Sequence, residues 1–356
     1  MTFRTGNDIG KLCRKLMCLA LCASMIIGLA ACGEKKEAEP AEDSPKTYKV
    51  GICNYVDDAS LNQIADNIRA GLAEEEQRLG VSFEIRYENC NADSAVLAQI
   101  ISDFTSEGVD LMIGIATPVA MAMQSATEDS GIPVIFSAVS DPLACGLVES
   151  LEQPGANITG TSDYLNTNAL LELIFAVDPE ADKIGLLYDI GQDSSAGPIA
   201  EAKRILAERG VETVDYTAGN NQEAILAVQS LLSSDVDAVF TPTDNTMMTA
   251  ELSIYEMLSE AGIPHYAGAD SFALNGAFIG FGVDYAELGK QTAYMVSAVL
   301  CEGADPASTP VMTFDNGKVT INTDICEDLG YDYDDVAKAF EGLCTKTEPI
   351  RTAESF

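Results

Sequence analysis

Residues 48–53 read Tyr-Lys-Val-Gly-Ile-Cys and residues 183–188 read Lys-Ile-Gly-Leu-Leu-Tyr, so two apolar runs carry a glycine in the same setting. Each run begins a series of segments, and matching segments follow in the same order in both halves of the chain. Val109-Asp110-Leu111 corresponds to Val236-Asp237-Ala238, and Gly131-Ile132-Pro133 corresponds to Gly262-Ile263-Pro264. Any two parallel α/β units share some periodicity, but three ordered matches indicate an internal repeat. The repeat predicts two similar lobes.

The first copy alternates strand patterns with helix patterns. Residues 48–53, 82–87 and 111–116 read as strands, whereas residues 61–79 and 95–105 have helical spacing. Parallel strands need a crossover before the next strand begins, and a helix usually supplies it. We therefore predict an α/β fold of two Rossmann-like, doubly wound parallel-sheet lobes joined by a hinge.

The expected boundaries follow from the repeat. We place residues 47–160 and 284–310 in lobe I and residues 161–283 and 311–345 in lobe II, with a tail at 346–356. Crossings between the lobes are expected near 155–162, 280–285 and 311–321. Loops and helix N-termini gather at the carboxyl ends of parallel strands, so two facing edges would enclose a ligand cleft that closes on its occupant.

The N-terminus has the pattern of a targeting segment. Basic residues precede an apolar run at 16–31, which is short for a membrane span, and Leu29-Ala30-Ala31-Cys32-Gly33 resembles a bacterial lipobox. We expect residues 1–31 to be a lipoprotein signal peptide, Cys32 to carry the lipid, and the polar residues 32–46 to be a disordered tether. The alternatives are a transmembrane anchor or a plain signal peptide.

Composition narrows the function classes. The net charge of −36 would repel nucleic acid, and the 356 residues are enough for two domains. His265 is the single histidine, and the sequence has no nucleophile elbow, P-loop or zinc-protease motif. We therefore expect neither an enzyme nor a cofactor. Cys326 and Cys344 are considered as a bridge near the C-terminus.

Five blocks follow apolar strands in this repeat, and together they resemble a known family. The blocks are Ile115-Ala116-Thr117-Pro118, residues 136–142 with Ser140-Asp141-Pro142, Gly160-Thr161-Ser162-Asp163, Thr241-Pro242-Thr243-Asp244-Asn245 and residues 282–289. They resemble ABC-transporter substrate-binding proteins of the type I periplasmic-binding fold, in the subgroup associated with tryptophan and other aromatic amino acids. The likeness extends from about residue 48 to residue 329.

The resemblance implies an extracytoplasmic lipoprotein that captures a small ligand for an ABC importer. Its partners would be the permease and ATPase subunits, with a lipid anchor on Cys32 and a monomeric body. An aromatic or hydrophobic amino acid is the expected ligand. A sugar or nucleoside, which also stacks on aromatic rings, is an alternative, as is a ligand-sensing lipoprotein beside a membrane receptor.

Polar residues that follow the strands are the candidate ligand contacts. Thr117, Ser140 and Thr243 can donate to a carboxylate, whereas Asp141, Asp244 and Asp270 can pair with an ammonium. Thr117 and Asp244 are expected as opposed anchors, although such residues also cap helices. The full set of candidates is Asn54, Tyr55, Thr117, Ser140, Asp141, Asp163, Thr243, Asp244, Asn245, Asp270 and Asp284.

Overall fold

The computed structural model describes residues 45–353. The predicted signal peptide, the lipidation at Cys32 and nearly all of the predicted tether lie outside the described residues. Within residues 45–353, no helix is both long enough and apolar enough to cross a membrane.

The first sheet has five parallel strands in the order β2-β1-β3-β4-β5. Alternate residues of its strands face two different apolar clusters, one beneath α1 and the other beneath α2 and α3. Both faces are therefore covered, as a doubly wound sheet requires. The elements are β1 Thr47–Asn54, α1 Ala59–Leu79, β2 Ser82–Asn89, α2 Ser94–Glu107, β3 Leu111–Ile115, α3 Thr117–Thr127, β4 Val134–Ser137 and β5 Ile158–Thr161.

The second sheet has seven strands in the order β12-β11-β10-β9-β8-β6-β7, and only the pairing of β11 with β10 is antiparallel. Its elements are α4 Thr167–Val177, β6 Lys183–Tyr188, α5 Asp193–Arg209, β7 Glu212–Thr217, α6 Asn221–Leu231, β8 Ala238–Thr241, α7 Asn245–Glu260, β9 His265–Ala267, α8 Asp270–Leu274, β10 Ile279–Gly282, β11 Lys318–Asn322, α10 Thr323–Leu329, α11 Tyr333–Ala339 and β12 Lys346–Ile350. The predicted fold class, two parallel-sheet α/β lobes, is confirmed. We call the first sheet with its helices the first lobe, and the second sheet with its helices the second lobe.

The repeat has a structural counterpart in one hydrogen-bonding device. Asp110 Oδ2 accepts from Lys49 N at 2.7 Å, and Asp237 Oδ2 accepts from Lys183 N at 2.9 Å. In both lobes the aspartate ends the loop before the third strand and ties it to the start of the first strand. The Val-Asp matches of the sequence therefore mark equivalent places in the two sheets.

The helix α9, Tyr285–Glu302, packs on the first lobe although it follows most of the second lobe in the chain. Thr292 Oγ1 lies 2.8 Å from Ser137 Oγ and 2.9 Å from Thr161 Oγ1, which ties α9 to the ends of β4 and β5. Glycines allow α9 to approach α1 closely. A Cβ on Gly289 would lie 2.6 Å from the carbonyl oxygen of Ile64, closer than real Cβ contacts.

Three segments join the lobes. The first follows β5, the second joins β10 to α9, and the third leads from α9 to β11. The third still pairs with the first sheet at Met312, whose N–H donates to Gly160 O at 2.9 Å. The segment that we assigned to a tail at 346–356 begins with a strand, since residues 346–350 form β12 and pair with β11 over five residues. The alternation of apolar and polar residues in β12 is weak because this edge strand is only half-buried.

Gly289→Ala tests the close approach of α1 and α9. The new methyl group would meet backbone atoms that cannot rotate away, so we expect a loss of about 2 kcal/mol or more in the free energy of unfolding, measured in urea. Gly197→Ala is the matched control, because a Cβ on that helical glycine would meet only Asp141 Oδ2, at an ordinary contact distance of 3.9 Å. The control should be neutral or slightly stabilising. Equal effects of the two substitutions would contradict this packing.

Candidate functional site

A narrow cavity of about 10 Å³, which is room for about one water molecule, lies between the carboxyl edges of the two sheets. Both lobes contribute to its wall, because the residues that follow β1, β3 and β4 face those that follow β6 and β8. This volume is far below the roughly 300–1,000 Å³ of ligand pockets, so a ligand can enter only when the lobes move apart. The lining residues are Ser60, Leu61, Ala116, Thr117, Ala138, Ser140, Asp163, Ser194, Thr243, Asn245, Met248 and Tyr285.

Five helices begin at this cavity, and each contributes a residue of its first turn to the wall. They are α1, α3, α5, α7 and α9, and they contribute Ser60, Thr117, Ser194, Asn245 and Tyr285 to the wall. A helix N-terminus presents unpaired N–H groups and a partial positive charge. The cavity therefore has a field that favours an anionic group.

The backbone is strained where two strands of the first lobe reach the cavity. Ala116, after β3, has φ of 77°, and Ala138, after β4, has φ of 54°. A residue with a Cβ seldom adopts positive φ, and each instance costs on the order of 1 kcal/mol. Both alanines line the cavity, so the strain is concentrated where the chain turns into the wall.

Asp163 is the carboxylate that faces this cavity. It is 5% exposed, and Ser140 Oγ donates to its Oδ1 at 3.0 Å. Burial raises the pKa of Asp163 to about 6, which the bond from Ser140 only partly offsets. Among the described residues no basic side chain forms an ion pair with it. A buried carboxylate without a cation is costly, which makes this group the natural place for a ligand cation.

Asp244 is placed differently from the prediction. Its Oδ1 accepts from Thr246 N and Met247 N, each at 3.0 Å, and caps α7. Its Oδ2 accepts from Asp189 N at 2.7 Å and from Ser195 Oγ at 2.6 Å. Burial raises the pKa of Asp244 to about 6. With protein donors on both oxygens and no place in the cavity wall, Asp244 acts as a cap and as a link between loops, in contrast to the predicted ligand anchor.

The predicted hydroxyl donors line the cavity, but they differ in whether they already form a hydrogen bond within the protein. Thr243 Oγ1 donates to Gly268 O at 2.8 Å, and Asn245 Nδ2 donates to Gln192 Oε1 at 3.0 Å. Thr117 Oγ1 has no hydrogen bond in the part of the chain described. Ser194 Oγ, which the sequence did not single out, is buried there without a partner. Thr117 and Ser194 are therefore the hydroxyls most available to a ligand, one from each lobe.

The remaining candidates lie outside this cavity. Asn54 is buried beside Asn62 and Tyr87, and Tyr55 lines a separate apolar hollow of about 680 Å³ between α2 and α3. Asp141 caps a turn by accepting from Ala144 N, and the exposed Asp284 caps α9 by accepting from Glu287 N. Asp270 contacts Ser60 across the two lobes.

Among the described aromatic residues, Tyr285 alone lines the cavity. Tyr266 and Phe272 are core residues of the second lobe, and Tyr164 is 51% exposed. The residues that sequence reasoning missed, including Ser60, Leu61, Ser194 and Met248, share one signal. Each lies in the first turn of a helix that directly follows a parallel strand.

His265 and the cysteines have structural roles. His265 Nδ1 lies 2.9 Å from Glu251 Oε1 and its Nε2 lies 2.8 Å from Thr241 Oγ1, in a fully buried chain of bonds. Cys326 and Cys344 are free thiols, and Cys344 Sγ donates to Phe340 O at 3.4 Å. The bridge that we considered between them is therefore not formed.

Comparison with known proteins connects this geometry to a family. Residues 49–340 match the family described as ABC transporter substrate binding protein. A tyrosine-binding protein of Clostridioides difficile is 32% identical over 287 residues, which cover 81% of this chain and 82% of that protein.

Two solved structures share the fold at similar identity. An ABC domain from Streptococcus pneumonia in complex with L-Trp is 32% identical, with a TM-score of 0.77 and coverage of 85% of this chain and 100% of that one. The ligand-free, open structure of CD0873, a substrate binding protein with adhesive properties from Clostridium difficile, is 29% identical, with a TM-score of 0.66 and coverage of 86% and 100%.

The buried carboxyl of Asp163 generates a pH prediction. Its pKa is about 6 in the folded protein and about 3.9 in an unfolded chain. The folded state therefore binds more protons between these values, and stability is lost as the pH rises from about 4 to about 6. Asp163→Asn removes this loss, so the mutant should gain about 2 kcal/mol on the wild type across that window, measured by urea unfolding at each pH. Parallel profiles of the unfolding free energy against pH would contradict the assignment. Asp58 and Asp244 titrate in both proteins, so any difference between the two profiles comes from Asp163.

Proposed function

The chain belongs to the ABC transporter substrate-binding protein family, whose members bind solutes and are not enzymes, and from this premise we propose that it captures an aromatic amino acid in the cavity between its two lobes. Proteins of this family are extracytoplasmic. Two similar proteins are named for L-Trp and tyrosine, which makes this ligand class the first to test.

The observation that carries the proposal is the uncompensated carboxylate of Asp163. It lines the cavity between the lobes, and among the described side chains only the hydroxyl of Ser140 donates to it. A ligand ammonium would add a charge-assisted hydrogen bond and would lower the pKa of Asp163. The free energy spent on burying this charge is then recovered on binding.

The carboxylate of the ligand would lie against the helix N-termini. Thr117 Oγ1 and Ser194 Oγ are without protein partners among the described residues, and they come from opposite lobes. Hydroxyls and N–H groups at the positive ends of helices suit a carboxylate. A ligand that bridges Thr117 and Ser194 would hold the two lobes together.

The ligand side chain would meet the apolar part of the wall. Leu61, Met248 and Tyr285 contribute it, together with the small side chains of Ala116 and Ala138. Tyr285 offers a flat ring and Met248 a polarizable thioether, both of which pack well on aromatic groups. This combination favours an aromatic ligand over a small aliphatic one.

The arrangement of the lobes supports capture by closure. At nearly equal sequence identity the chain superposes better on the L-Trp complex, with a TM-score of 0.77, than on the ligand-free, open structure, with 0.66. The narrowness of the cavity agrees with this comparison. We infer that the structure represents the closed form and that opening occurs at the three joining segments.

The transport role completes the proposal. We propose that the closed protein delivers its ligand to an ABC permease and ATPase, that it is a monomer, and that a lipid on Cys32 anchors it to the cell membrane. A sugar or nucleoside is the alternative ligand, but an unpaired carboxylate at the centre of the cavity favours a cationic group over a neutral sugar.

A binding comparison tests the ligand class. Residues 46–356 are screened by thermal shift against L-tryptophan, L-tyrosine and L-phenylalanine, with arabinose and adenosine beside them. A ligand at a hundred times its Kd adds about 2.7 kcal/mol to stability. We expect a rise in Tm with the amino acids alone. A rise with arabinose or adenosine alone would overturn the amino-acid assignment.

Asp163→Asn tests the ammonium contact directly. By calorimetry with L-tryptophan we expect binding to weaken by about 1.5 to 3 kcal/mol, roughly ten- to a hundredfold in Kd, while the ligand-free variant is more stable than wild type at pH 7.5. Asp284→Asn, at an exposed helix cap outside the cavity, is the matched control and should bind normally. Unchanged affinity in Asp163→Asn would exclude this carboxylate as the ammonium partner.

A further inference from the structure

Ser60 forms two hydrogen bonds across the boundary between the lobes. Its Oγ donates to Asp270 Oδ1 at 2.5 Å and accepts from Ser271 N at 3.2 Å. Ser60 is on the first turn of α1 in the first lobe, whereas Asp270 and Ser271 begin α8 in the second lobe. Ser60 and Ser271 are 2% and 1% exposed, so water is excluded from the contact.

The helix α8 has no capping side chain of its own. The residue at its N-cap position is Ala269, which offers no side-chain acceptor. The first N–H groups of a helix have no partner within it, and a serine oxygen is among the best acceptors for them. Ser60 Oγ supplies that acceptor from the other lobe. The cap of α8 is therefore complete only while the lobes are in contact.

Both sides of this contact are held in place. Asp58 Oδ1 accepts from Ser60 N at 2.9 Å and from Leu61 N at 3.2 Å, which fixes the turn that carries Ser60. On the other side, Lys318 Nζ lies 3.3 Å from Asp270 Oδ2 and 3.2 Å from Glu348 Oε2. Asp270 thus keeps a compensating cation from its own lobe, and its Oδ1 is free to accept from Ser60.

We propose that Ser60, Asp270 and Ser271 form an interlobe latch, in which Ser60 acts as a positioning residue that stabilises the closed form by capping α8 from the opposite lobe. The latch deepens the proposed function, because it assigns the closing equilibrium to named protein contacts in addition to the ligand. Replacing a capping serine by alanine typically costs about 1 kcal/mol and at most about 2. Loss of the latch should therefore shift the closing equilibrium by roughly five- to thirtyfold.

Hydrogen exchange at Ser271 tests the latch without reference to any ligand. In Ser60→Ala the amide of Ser271 loses its acceptor, so the peptide covering residues 269–275 should exchange one amide at least about fivefold faster than in wild type. Ser60→Thr retains the hydroxyl and should restore protection. Ser230→Ala, at an exposed serine of α6, controls for the substitution itself. Equal exchange in wild type and Ser60→Ala, with and without L-tryptophan, would overturn the latch.

Binding kinetics separate the latch from direct ligand contact, since Ser60 also lines the cavity. With L-tryptophan, Ser60→Ala should raise the dissociation rate about five- to thirtyfold and change the association rate little, because the latch forms after the ligand has entered. Asp270→Ala, outside the cavity wall, should act the same way, and the double variant should resemble either single variant. Additive effects would assign Ser60 to the ligand alone and overturn the latch.

The experiments can exclude the ligand class and the latch independently of each other. If wild type binds none of the aromatic amino acids, the proposed ligand class is excluded, and the exchange of Ser271 still decides the latch. If wild type binds L-tryptophan and both single variants release it at the wild-type rate, the latch is excluded and the ligand class stands.

Discussion

The direction of the strands is the constraint on which this structure depends. A parallel strand is followed by a crossover helix, so every helix of this kind begins at the carboxyl edge of its sheet. Two such sheets face each other here, and five helix N-termini meet at one cavity. The positive field, the available hydroxyls and the strained turns at Ala116 and Ala138 all follow from that geometry. The identity of the individual side chains then determines which ligand fits the field.

Two buried carboxylates of this protein differ in how the protein compensates them. Asp244 and Asp163 are both buried and both have a pKa raised to about 6, so neither burial nor titration distinguishes them. The difference lies in their donors. Asp244 has four within the protein, whereas Asp163 has one and faces the cavity. The protein therefore compensates Asp244 internally, whereas it leaves Asp163 with a single side-chain donor among the described residues.

The sequence predicts the fold far better than it predicts the site. Strand and helix periods, and the repeated Val-Asp and Gly-Ile-Pro segments, depend on local patterning, and the strands lie where the patterns place them. Thr117, Ser140, Asp163, Thr243 and Asn245 reach the cavity because they follow strands. Asp244 does not, because a local helix cap already uses it, and capping and binding residues look alike in a sequence. The contact of Ser60 with α8 joins residues more than 200 positions apart, and it depends on how two lobes meet, which no local pattern encodes.

The position of α9 in the chain has a consequence for biosynthesis. Residues 285–302 cover α1 in the first lobe, but the ribosome makes them only after most of the second lobe. Until then the face of α1 that carries Gly71 and Glu75, which lie against Ala293 and Ser297 of α9 in the finished protein, has no helix to cover it. The first lobe is therefore made first and completed late, and during synthesis it leaves one face of α1 uncovered, the kind of surface that chaperones bind.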